Sequence, residues 1–369
     1  MISAKRAVAA MIGLVGLAAG AAAADSRLVP DLLELPARST SRALHSLQLA
    51  VSVAGERLVS VGERGMVLLS DDQGRSWRQA RSVPVSVTLT DVCFISATQG
   101  WAVGHSGVVL HSEDAGDNWT LQLDGAQAAR AVLAEAQRRA EAGEAGAEAA
   151  VRSAGYLVGD GPDKPFLSVH FTDAERGWIV GAYGLALETV DGGRNWRSIV
   201  GRIPNPRGNH LYQIREDGER LMIAGEQGAL FRSADAGASF EAVGTPYGGT
   251  YFGTVAAGSG AVLAFGLRGN AWRSEDGITQ WRQLDLGQPV TVAAGLRMND
   301  GSVVLADESG RLLRSPDGGG RHPFRPLPAP SVPGLSGLAQ TRDGALILAG
   351  ARGLVRIEPK DLYTVEVAR

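Results

Sequence analysis

A short motif recurs along this chain at a nearly constant spacing, and this repeat restricts the possible folds more than any other feature. Its fullest form is Ser/Thr-x-Asp-x-Gly-x-x-Trp, as in the segment from Ser70 to Trp77. The six copies begin at Ser70, Ser112, Thr189, Ser233, Ser274 and Ser315, which are 42, 77, 44, 41 and 41 residues apart. A period of about 40 to 45 residues with strand-like sequence is typical of the blades of a β-propeller.

A second repeated element gives the number of blades. An apolar strand followed by a turn of the form Gly-x-x-Gly precedes each copy of the motif. The seven glycine pairs, one with Asp in the first place, are Gly62/Gly65, Gly104/Gly107, Gly181/Gly184, Gly225/Gly228, Gly266/Gly269, Asp307/Gly310 and Gly350/Gly353. Seven turns predict an all-β fold, a seven-bladed β-propeller over residues 44–369. Each period divides into four short strands, such as 89–94, 100–103, 107–111 and 119–122 in the second blade.

The motif falls in the turn between the third and fourth strands of each blade, where its residues suit a conformational role. The Ser hydroxyl and the Asp carboxylate accept N–H groups of the turn, Gly permits positive φ, and Trp packs between neighbouring sheets. We therefore assign a structural role, not a catalytic one, to the six boxed aspartates Asp72, Asp114, Asp191, Asp235, Asp276 and Asp317.

The long interval between the second and third motifs contains an insertion at residues 124–160. Residues 125–154 are rich in Ala, Glu and Arg and contain no Pro, a composition that favours helix. Gly143 and Gly146 divide the segment, so we expect two antiparallel helices that stand off the propeller between blades two and three. Two roles are open for this hairpin: a solvated decoration, or a docking arm for a partner.

The N-terminal residues predict export. Lys5 and Arg6 precede a weakly apolar run from Ala7 to Ala24, which is typical of a cleaved signal peptide at residues 1–24. An uncleaved membrane anchor is the alternative, and no cysteine follows the run to carry a lipid. We expect a periplasmic or secreted protein that does not itself insert into the membrane after cleavage, with an N-terminal segment at residues 25–43 before the propeller.

Composition and spacing exclude several kinds of site. The formal net charge of −3 provides no broad basic surface for the phosphates of nucleic acid. Cys93 is the single cysteine, so neither an internal disulfide nor a multi-cysteine metal site is available. The histidines lack zinc-ligand spacing, and each Gly-x-x-Gly joins two strands without the lysine of a phosphate loop. We therefore expect neither a metal nor a cofactor.

The Gly-x-x-Gly turns are the candidate partner-binding site. In a propeller these turns lie on the face opposite the Asp boxes. They place three arginines on one face, with a histidine and a tyrosine beside them: Arg64, His105, Tyr183, Arg268 and Arg352. Guanidinium groups so placed bind carboxylates or phosphates of a partner. The alternative is that exposed turns simply tolerate arginine.

The combination of apolar strand, Gly-x-x-Gly and Asp box, as in Val61 to Ser70 and Val103 to Ser112, resembles the photosystem II stability and assembly factor-like propeller family. The resemblance covers roughly residues 44–357. It implies a seven-bladed, non-enzymatic propeller that binds a membrane protein or assembly intermediate outside the cytoplasm. We also expect the protein to be a monomer whose partner is a membrane protein or complex of the envelope. The helical insertion is not part of the repeat, and relatives of this type also occur in bacteria without photosystems, so the resemblance does not identify the partner.

A sialidase-like glycoside hydrolase is the alternative function, because sialidases also carry Asp boxes. The segment Gly201-Arg202-Ile203-Pro204 resembles the Arg-Ile-Pro motif of sialidases, but it follows the third box instead of preceding the first. We interpret it as an interblade linker. Each of the six tyrosines remains a candidate nucleophile for such an enzyme: Tyr156, Tyr183, Tyr212, Tyr247, Tyr251 and Tyr363. The strand that closes the ring is also undecided, since either 362–367 or 28–35 is a candidate for the last outer strand.

Overall fold

A computed structural model describes residues 31–217 and 220–362 of the chain. These residues form seven separate antiparallel sheets, six of four strands and one of three, and each sheet is a blade. The expected fold class, a seven-bladed β-propeller with one helical insertion, is confirmed. The predicted signal peptide lies outside the described residues.

The strands are grouped here by their position in a blade, counted outward from the axis. The innermost strands are β1 (Gln48–Ala54), β5 (Leu89–Phe94), β9 (Phe166–Phe171), β13 (Leu211–Asp217), β17 (Tyr251–Ala256), β21 (Val292–Arg297) and β25 (Leu335–Gln340). The second strands are β2 (Arg57–Gly62), β6 (Gly100–Gly104), β10 (Gly177–Gly181), β14 (Arg220–Gly225), β18 (Val262–Gly266), β22 (Val303–Asp307) and β26 (Leu346–Gly350). The third strands are β3 (Val67–Ser70), β7 (Val109–Ser112), β11 (Ala186–Thr189), β15 (Leu230–Ser233), β19 (Ala271–Ser274), β23 (Leu312–Ser315) and β27 (Gly353–Ile357). The outer strands are β4 (Arg78–Gln79), β8 (Thr120–Leu123), β12 (Arg197–Ser198), β16 (Glu241–Ala242), β20 (Arg282–Gln283) and β24 (Arg325–Pro326).

The core lies between neighbouring blades. Second strands such as β6 and β26 are buried along their whole length, because each is covered by a sheet on both sides. This explains why they read as continuous apolar runs instead of alternating ones. Boxed aromatics contribute to the same layers, as Trp119 does by packing against residues of the first blade.

Blades 1 and 7 meet and close the ring. Innermost strands β1 and β25 are in contact, and the Ser336 hydroxyl donates to the Gln48 carbonyl over 2.9 Å. Blade 7 has three strands within the described residues. The N-terminal candidate for the outer strand of blade 7 is the segment 28–35. Its residues 32–35 form a turn, and the Leu32 carbonyl accepts a hydrogen bond from the Ser86 N–H in the linker between blades 1 and 2. The other candidate, 362–367, lies outside the described residues from 363 onward.

The insertion is a helical hairpin of α1 (Gly125–Glu141) and α2 (Ala147–Asp160). Asp124 begins α1 with a capping box, in which its carboxylate accepts the Gln127 N–H and its own N–H donates to the Gln127 side chain. The hairpin does not stand off the propeller as expected: α1 packs against outer strand β12 of blade 3. Its buried alanines allow this close approach. No helix in the described part of the chain is long and apolar enough to cross a membrane.

Candidate partner-binding face

The tips of the Gly-x-x-Gly turns, together with the linkers that lead into each innermost strand, form one face, here called the Gly-turn face. In blade 1 the turn is closed by a hydrogen bond from the Met66 N–H to the Glu63 carbonyl. Its central residues, Arg64 and Gly65, have φ values of 54° and 69°. Two positive φ angles in succession define a tight turn that matches the twist of the strands it joins. The same positive φ recurs at the third position in five blades: Arg64, Ser106, Tyr183, Gln227 and Arg268.

Glycine is required at the first position of each pair for a different reason than at the second. Gly62 is extended, with φ −166°, but a Cβ there would collide with the carbonyl oxygen of Leu47. The chain passes this close because the innermost strand has a β-bulge opposite the glycine, where Gln48 and Ala50 pair with consecutive residues of β2. Gly104, Gly181 and Gly266 meet the same obstacle. Blade 6 has Asp307 instead, whose buried carboxylate accepts the N–H groups of Ser309 and Arg311.

The structure places all five predicted partner-binding residues on this face with exposed side chains: Arg64, His105, Tyr183, Arg268 and Arg352. Within the described residues, no carboxylate lies at ion-pair distance from any of the three guanidinium groups. Two carboxylates of the same face, Glu63 and Glu226, instead accept the backbone N–H groups of Leu47 and His210, at 3.0 and 2.9 Å. The three arginines therefore form no ion pair among the described residues, and the two carboxylates of this face keep their negative charge.

On the opposite face, which carries the Asp boxes, several arginines bind groups of the neighbouring blade. Arg57 of blade 1 donates to the Ala115 carbonyl in the Asp box of blade 2. Arg273 of blade 5, whose side chain is only 8% exposed, donates to two carbonyls in the box of blade 6. Five of the seven blade junctions carry such a contact, made by Arg57, Arg202, Arg220, Arg273 and Arg356. These five arginines join one blade to the next.

Each Asp box holds its turn by a small hydrogen-bond network. In blade 1 the Ser70 hydroxyl donates to Asp72 over 2.9 Å and accepts the Gly74 N–H over 2.8 Å. Hydrogen bonds from the hydroxyl and the N–H of Ser76 lower the pKa of Asp72 to about 2. The other boxed aspartates, Asp114, Asp191, Asp235, Asp276 and Asp317, occupy the equivalent turns and bond the corresponding Ser or Thr. No group of three or more potential metal ligands exists among the described residues.

A ring of residues around the axis of the Gly-turn face was not predicted from the sequence. The bulge seen in β1 occurs at the same place in all seven innermost strands. The bulged residues are Leu49, Thr90, Leu167, Tyr212, Phe252, Ala293 and Ser336, and all seven line a cavity of about 520 Å³, here called the channel mouth. The sequence signal was present: each lies at a nearly constant distance before the first glycine of its blade.

An ion pair lies deeper in the same channel. The Arg215 guanidinium lies 3.2 Å from the Asp91 carboxylate and donates to the Val169 carbonyl over 2.9 Å. Ser168 donates to the same carboxylate over 2.9 Å. This network joins blades 2, 3 and 4, and its arginine is already occupied by protein groups. Burial, together with the neighbouring Glu226 carboxylate, raises the pKa of the Tyr212 phenol, the opposite of what a tyrosine nucleophile requires.

The Arg-Ile-Pro segment lies in the connection between blades 3 and 4, as expected of an interblade linker. Arg202 ends a short 3₁₀ turn, Val200–Arg202. Its guanidinium forms an ion pair with Glu188 at 2.7 Å and is not directed to a central site.

Comparison with known proteins identifies the family. The model of the photosynthesis system II assembly factor YCF48 family matches residues 47–151 and 158–325. The photosystem II assembly lipoprotein Ycf48 of Synechococcus sp. (strain CC9902) is 31% identical over 158 residues, which are 40% of this chain and 44% of that protein. The match thus spans less than half of the length of this curated relative. The resemblance inferred from the motifs is confirmed.

Solved structures show the same architecture. YCF48 from Cyanidioschyzon merolae is 16% identical, with a TM-score of 0.62 over 86% of this chain and 97% of that one. A structure described as YCF48 bound to D1 peptide is also 16% identical, with a TM-score of 0.62 over 88% and 99%. A streptogramin B lyase, an enzyme, is 11% identical, with a TM-score of 0.63 over 85% and 93%. These identities establish the propeller fold alone, whereas the family model matches most of the sequence. The chain therefore belongs to the photosynthesis system II assembly factor YCF48 family.

Proposed function

We propose that this protein is an exported, non-enzymatic, monomeric scaffold that binds a membrane protein or its assembly intermediate through the Gly-turn face. The observation that carries the proposal is the contrast between the two faces. Five arginines bind carbonyls in the Asp boxes of adjacent blades, whereas Arg64, Arg268 and Arg352 have no carboxylate partner among the described residues. Unpaired guanidinium groups on an exposed face suit acidic or phosphorylated groups of a partner.

The relatives support the same proposal. The curated relative is named an assembly factor of photosystem II and a lipoprotein, and a structural relative is described with a bound D1 peptide. A lipoprotein is an exported protein, which agrees with the export predicted from residues 1–24. We propose by this analogy that the partner is a membrane protein of the envelope and that His105 and Tyr183 contribute to its contact surface.

A hydrolase receives less support from the channel. A sialidase-like mechanism needs an arginine free to bind the substrate carboxylate and an activated nucleophile in the central well. Arg215 is occupied by Asp91 and by backbone carbonyls, and the pKa of Tyr212 is raised instead of lowered. The site therefore favours binding over catalysis.

The proposal is tested by crosslinking from intact envelopes, with the captured membrane proteins identified by mass spectrometry. The wild-type protein is compared with the triple variant R64A/R268A/R352A. A matched control removes three exposed arginines from the Asp-box face, R176A/R194A/R321A, so that both variants lose the same charge. We expect one membrane protein, or one complex, to be captured by the wild type and by the control, and at least tenfold less by the Gly-turn variant.

Two results would overturn the proposal. Equal loss of capture in both triple variants would show a general charge effect and no binding face. Cleavage of a sialoside or glucan panel by the purified protein, without capture of any membrane protein, would favour the hydrolase instead.

A further inference from the structure

A cleft lies between the helical hairpin and blade 3, at the outer rim of the propeller. It is here called the hairpin cleft, and its volume is about 370 Å³. Helices α1 and α2, the Gly-x-x-Gly turn of blade 3 and the segment around outer strand β12 all contribute to its lining. Its size falls within the range of about 300 to 1,000 Å³ that is usual for ligand pockets. None of the three turn arginines lines it, so it is a different surface from the one proposed to bind the partner.

Short side chains on every wall leave this space open. The lining includes Ala136 of α1, Ala150 and Ala154 of α2, and Ser198 and Gly201 of blade 3. Side chains of this length cannot fill the gap between the helices and the blade. An apolar cavity of about 150 Å³ holds one benzene molecule, so the hairpin cleft has room for a molecule of about two or three rings.

The rest of the lining is mainly apolar and partly open to solvent. Val132 and Leu157 pack against the cluster that contains Leu185, but they are themselves only partly buried. Two tyrosines lie at the opening, Tyr156 with 75% and Tyr183 with 61% of the residue exposed. A ligand that covers these side chains removes apolar surface from water, which favours its binding.

The charged residues of the lining favour an uncharged ligand. All four of them form ion pairs within the protein. The pairs are Lys164 with Asp160 and Asp163, Arg139 with Glu144, and Glu135 with Arg138. The Lys164 ammonium also lies 5.3 Å from the centre of the Tyr183 ring, the position that a cation of a ligand would take. A charged ligand would therefore lose its hydration without gaining a free partner of opposite charge.

We propose that the hairpin cleft is a binding site for an uncharged, apolar small molecule of two or three rings. The rings of the ligand lie among the short side chains of the three walls and contact Tyr156 and Tyr183 at the opening. The inference goes beyond the proposed function, because it assigns a small molecule, and not a protein partner, to a surface built by the insertion.

The test is a fluorescence titration of the purified protein with N-phenyl-1-naphthylamine, an uncharged probe whose emission rises in an apolar site. Its analogue 8-anilino-1-naphthalenesulfonate has the same rings and one additional sulfonate group, so the two probes differ in charge. We expect the uncharged probe to saturate at one molecule per chain. The sulfonate should bind at least tenfold more weakly.

Two matched pairs of variants locate the site. Ala150 lines the cleft, whereas the preceding residue of α2, Ala149, is exposed and does not line it. Phenylalanine at position 150 fills the space, so A150F should bind the uncharged probe at least tenfold more weakly and A149F within twofold of wild type. On the blade, V200S should bind at least threefold more weakly and V190S as wild type, since both valines are exposed and only Val200 lines the cleft.

Circular dichroism at 222 nm shows whether the hairpin is intact in A150F, and V200S decides if it is not. The inference is overturned if the uncharged probe does not saturate, if V200S or an intact A150F binds it as wild type does, or if the sulfonate binds equally well in a manner that A150F abolishes.

The same variants keep this inference separate from the proposed function. R64A/R268A/R352A should bind the uncharged probe as wild type does, so loss of membrane-protein capture in that variant leaves the hairpin cleft unaffected. Loss of envelope capture in A150F but not in A149F, without binding of the probe, would assign the cleft to an apolar side chain of the partner and would overturn the small-molecule site.

Discussion

At the scale of single residues, Thr189 shows how one hydroxyl holds a turn of the propeller. Its Oγ1 donates to Asp191 over 2.9 Å and accepts the buried Gly193 N–H over 2.9 Å. Replacement by valine keeps the shape and removes these two bonds and a 3.3 Å bond from the Asp191 N–H, which leaves the buried Gly193 N–H without a partner. We expect T189V to lower the free energy of unfolding by about 1–3 kcal/mol, measured by urea denaturation.

The serine variant is the control for this prediction. T189S retains the hydroxyl, and the other boxes use serine at this position, as Ser112 does toward Asp114. We expect T189S to stay within about 1 kcal/mol of wild type. Destabilisation by T189S equal to that by T189V would contradict the prediction, because T189S keeps the hydroxyl and its hydrogen bonds.

A second residue-scale prediction concerns pH. Burial, with a contribution from the Arg215 charge, lowers the pKa of His170 to about 3. His170 is therefore neutral at pH 7, and its 3.6 Å contact with Glu216 is not an ion pair there. The unfolded state binds a proton near pH 6.5 and the folded state only near pH 3. Above pH 6.5 this difference in pKa does not change the free energy of unfolding. As the pH falls from 6.5 toward 3, it lowers the free energy of unfolding by up to roughly 1.4 kcal/mol per pH unit.

The measurement compares wild type with H170Q, which does not titrate, by urea denaturation at intervals between pH 7 and pH 3. The stability of the wild type should fall more steeply than that of H170Q from about pH 6.5 downward, and the two curves should be parallel above it. Parallel curves over the whole interval would contradict the lowered pKa.

At the scale of elements, the Gly-x-x-Gly turns show what sequence reasoning reached and what it missed. The second glycine was predicted from turn chemistry, since positive φ favours Gly, and Gly65 has φ 69°. The first glycine looked like part of the same turn, but glycine is required there because the bulged strand passes too close for a Cβ atom. That cause depends on the register between two strands, which spacing within one turn does not reveal.

This explanation of the first glycine is testable in blade 5. A methyl group at Gly266 would collide with the Thr250 carbonyl, so G266A must displace the entry to the bulge that carries Phe252. We expect a loss of about 1–3 kcal/mol in the free energy of unfolding, measured by chemical denaturation. G244A is the control, because nothing lies within 4 Å of a Cβ at that position. A wild-type midpoint for G266A would contradict the close approach.

The helical insertion illustrates another limit at this scale. Its composition predicted helix, and Gly143 and Gly146 lie in the connection between α1 and α2 as expected. Its docking on blade 3 was not predicted, because the apolar contacts are few: Val132 and Leu157 pack into the cluster that contains Leu185. A thin alanine-rich face gives little indication in sequence of what covers it.

At the scale of the whole molecule, periodicity predicted the number of blades because every blade repeats the same local pattern. The channel mouth could not be predicted in this way. Tyr212 and Phe252 are 40 residues apart in sequence, and only the packing of blade 4 against blade 5 brings their bulges together. The arginines illustrate the same point, since sequence does not distinguish Arg273, which joins two blades, from the exposed Arg268.

We expect the closed ring to fold without the hairpin. The two ends of the insertion are adjacent, since a Cβ at Gly125 would lie 2.8 Å from the Cα of Pro162. Replacing residues 126–160 by Gly-Ser-Gly therefore leaves every blade its own hydrogen bonds. Loss of the contacts of Val132 and Leu157 with blade 3 should cost on the order of 1–2 kcal/mol, a decrease of about 2–6 °C in Tm, while unfolding stays a single transition.

Circular dichroism measures this deletion directly: the helical signal at 222 nm should be lost and the thermal transition retained. The substitution V132S is the matched control, because it weakens the same packing but keeps both helices. Aggregation, or a broad transition in the deletion variant alone, would show that the hairpin is part of the folding unit. If the ring folds without it, the envelope crosslinking experiment on the same variant decides between the two roles open for the hairpin, since a docking arm is needed for capture and a solvated decoration is not.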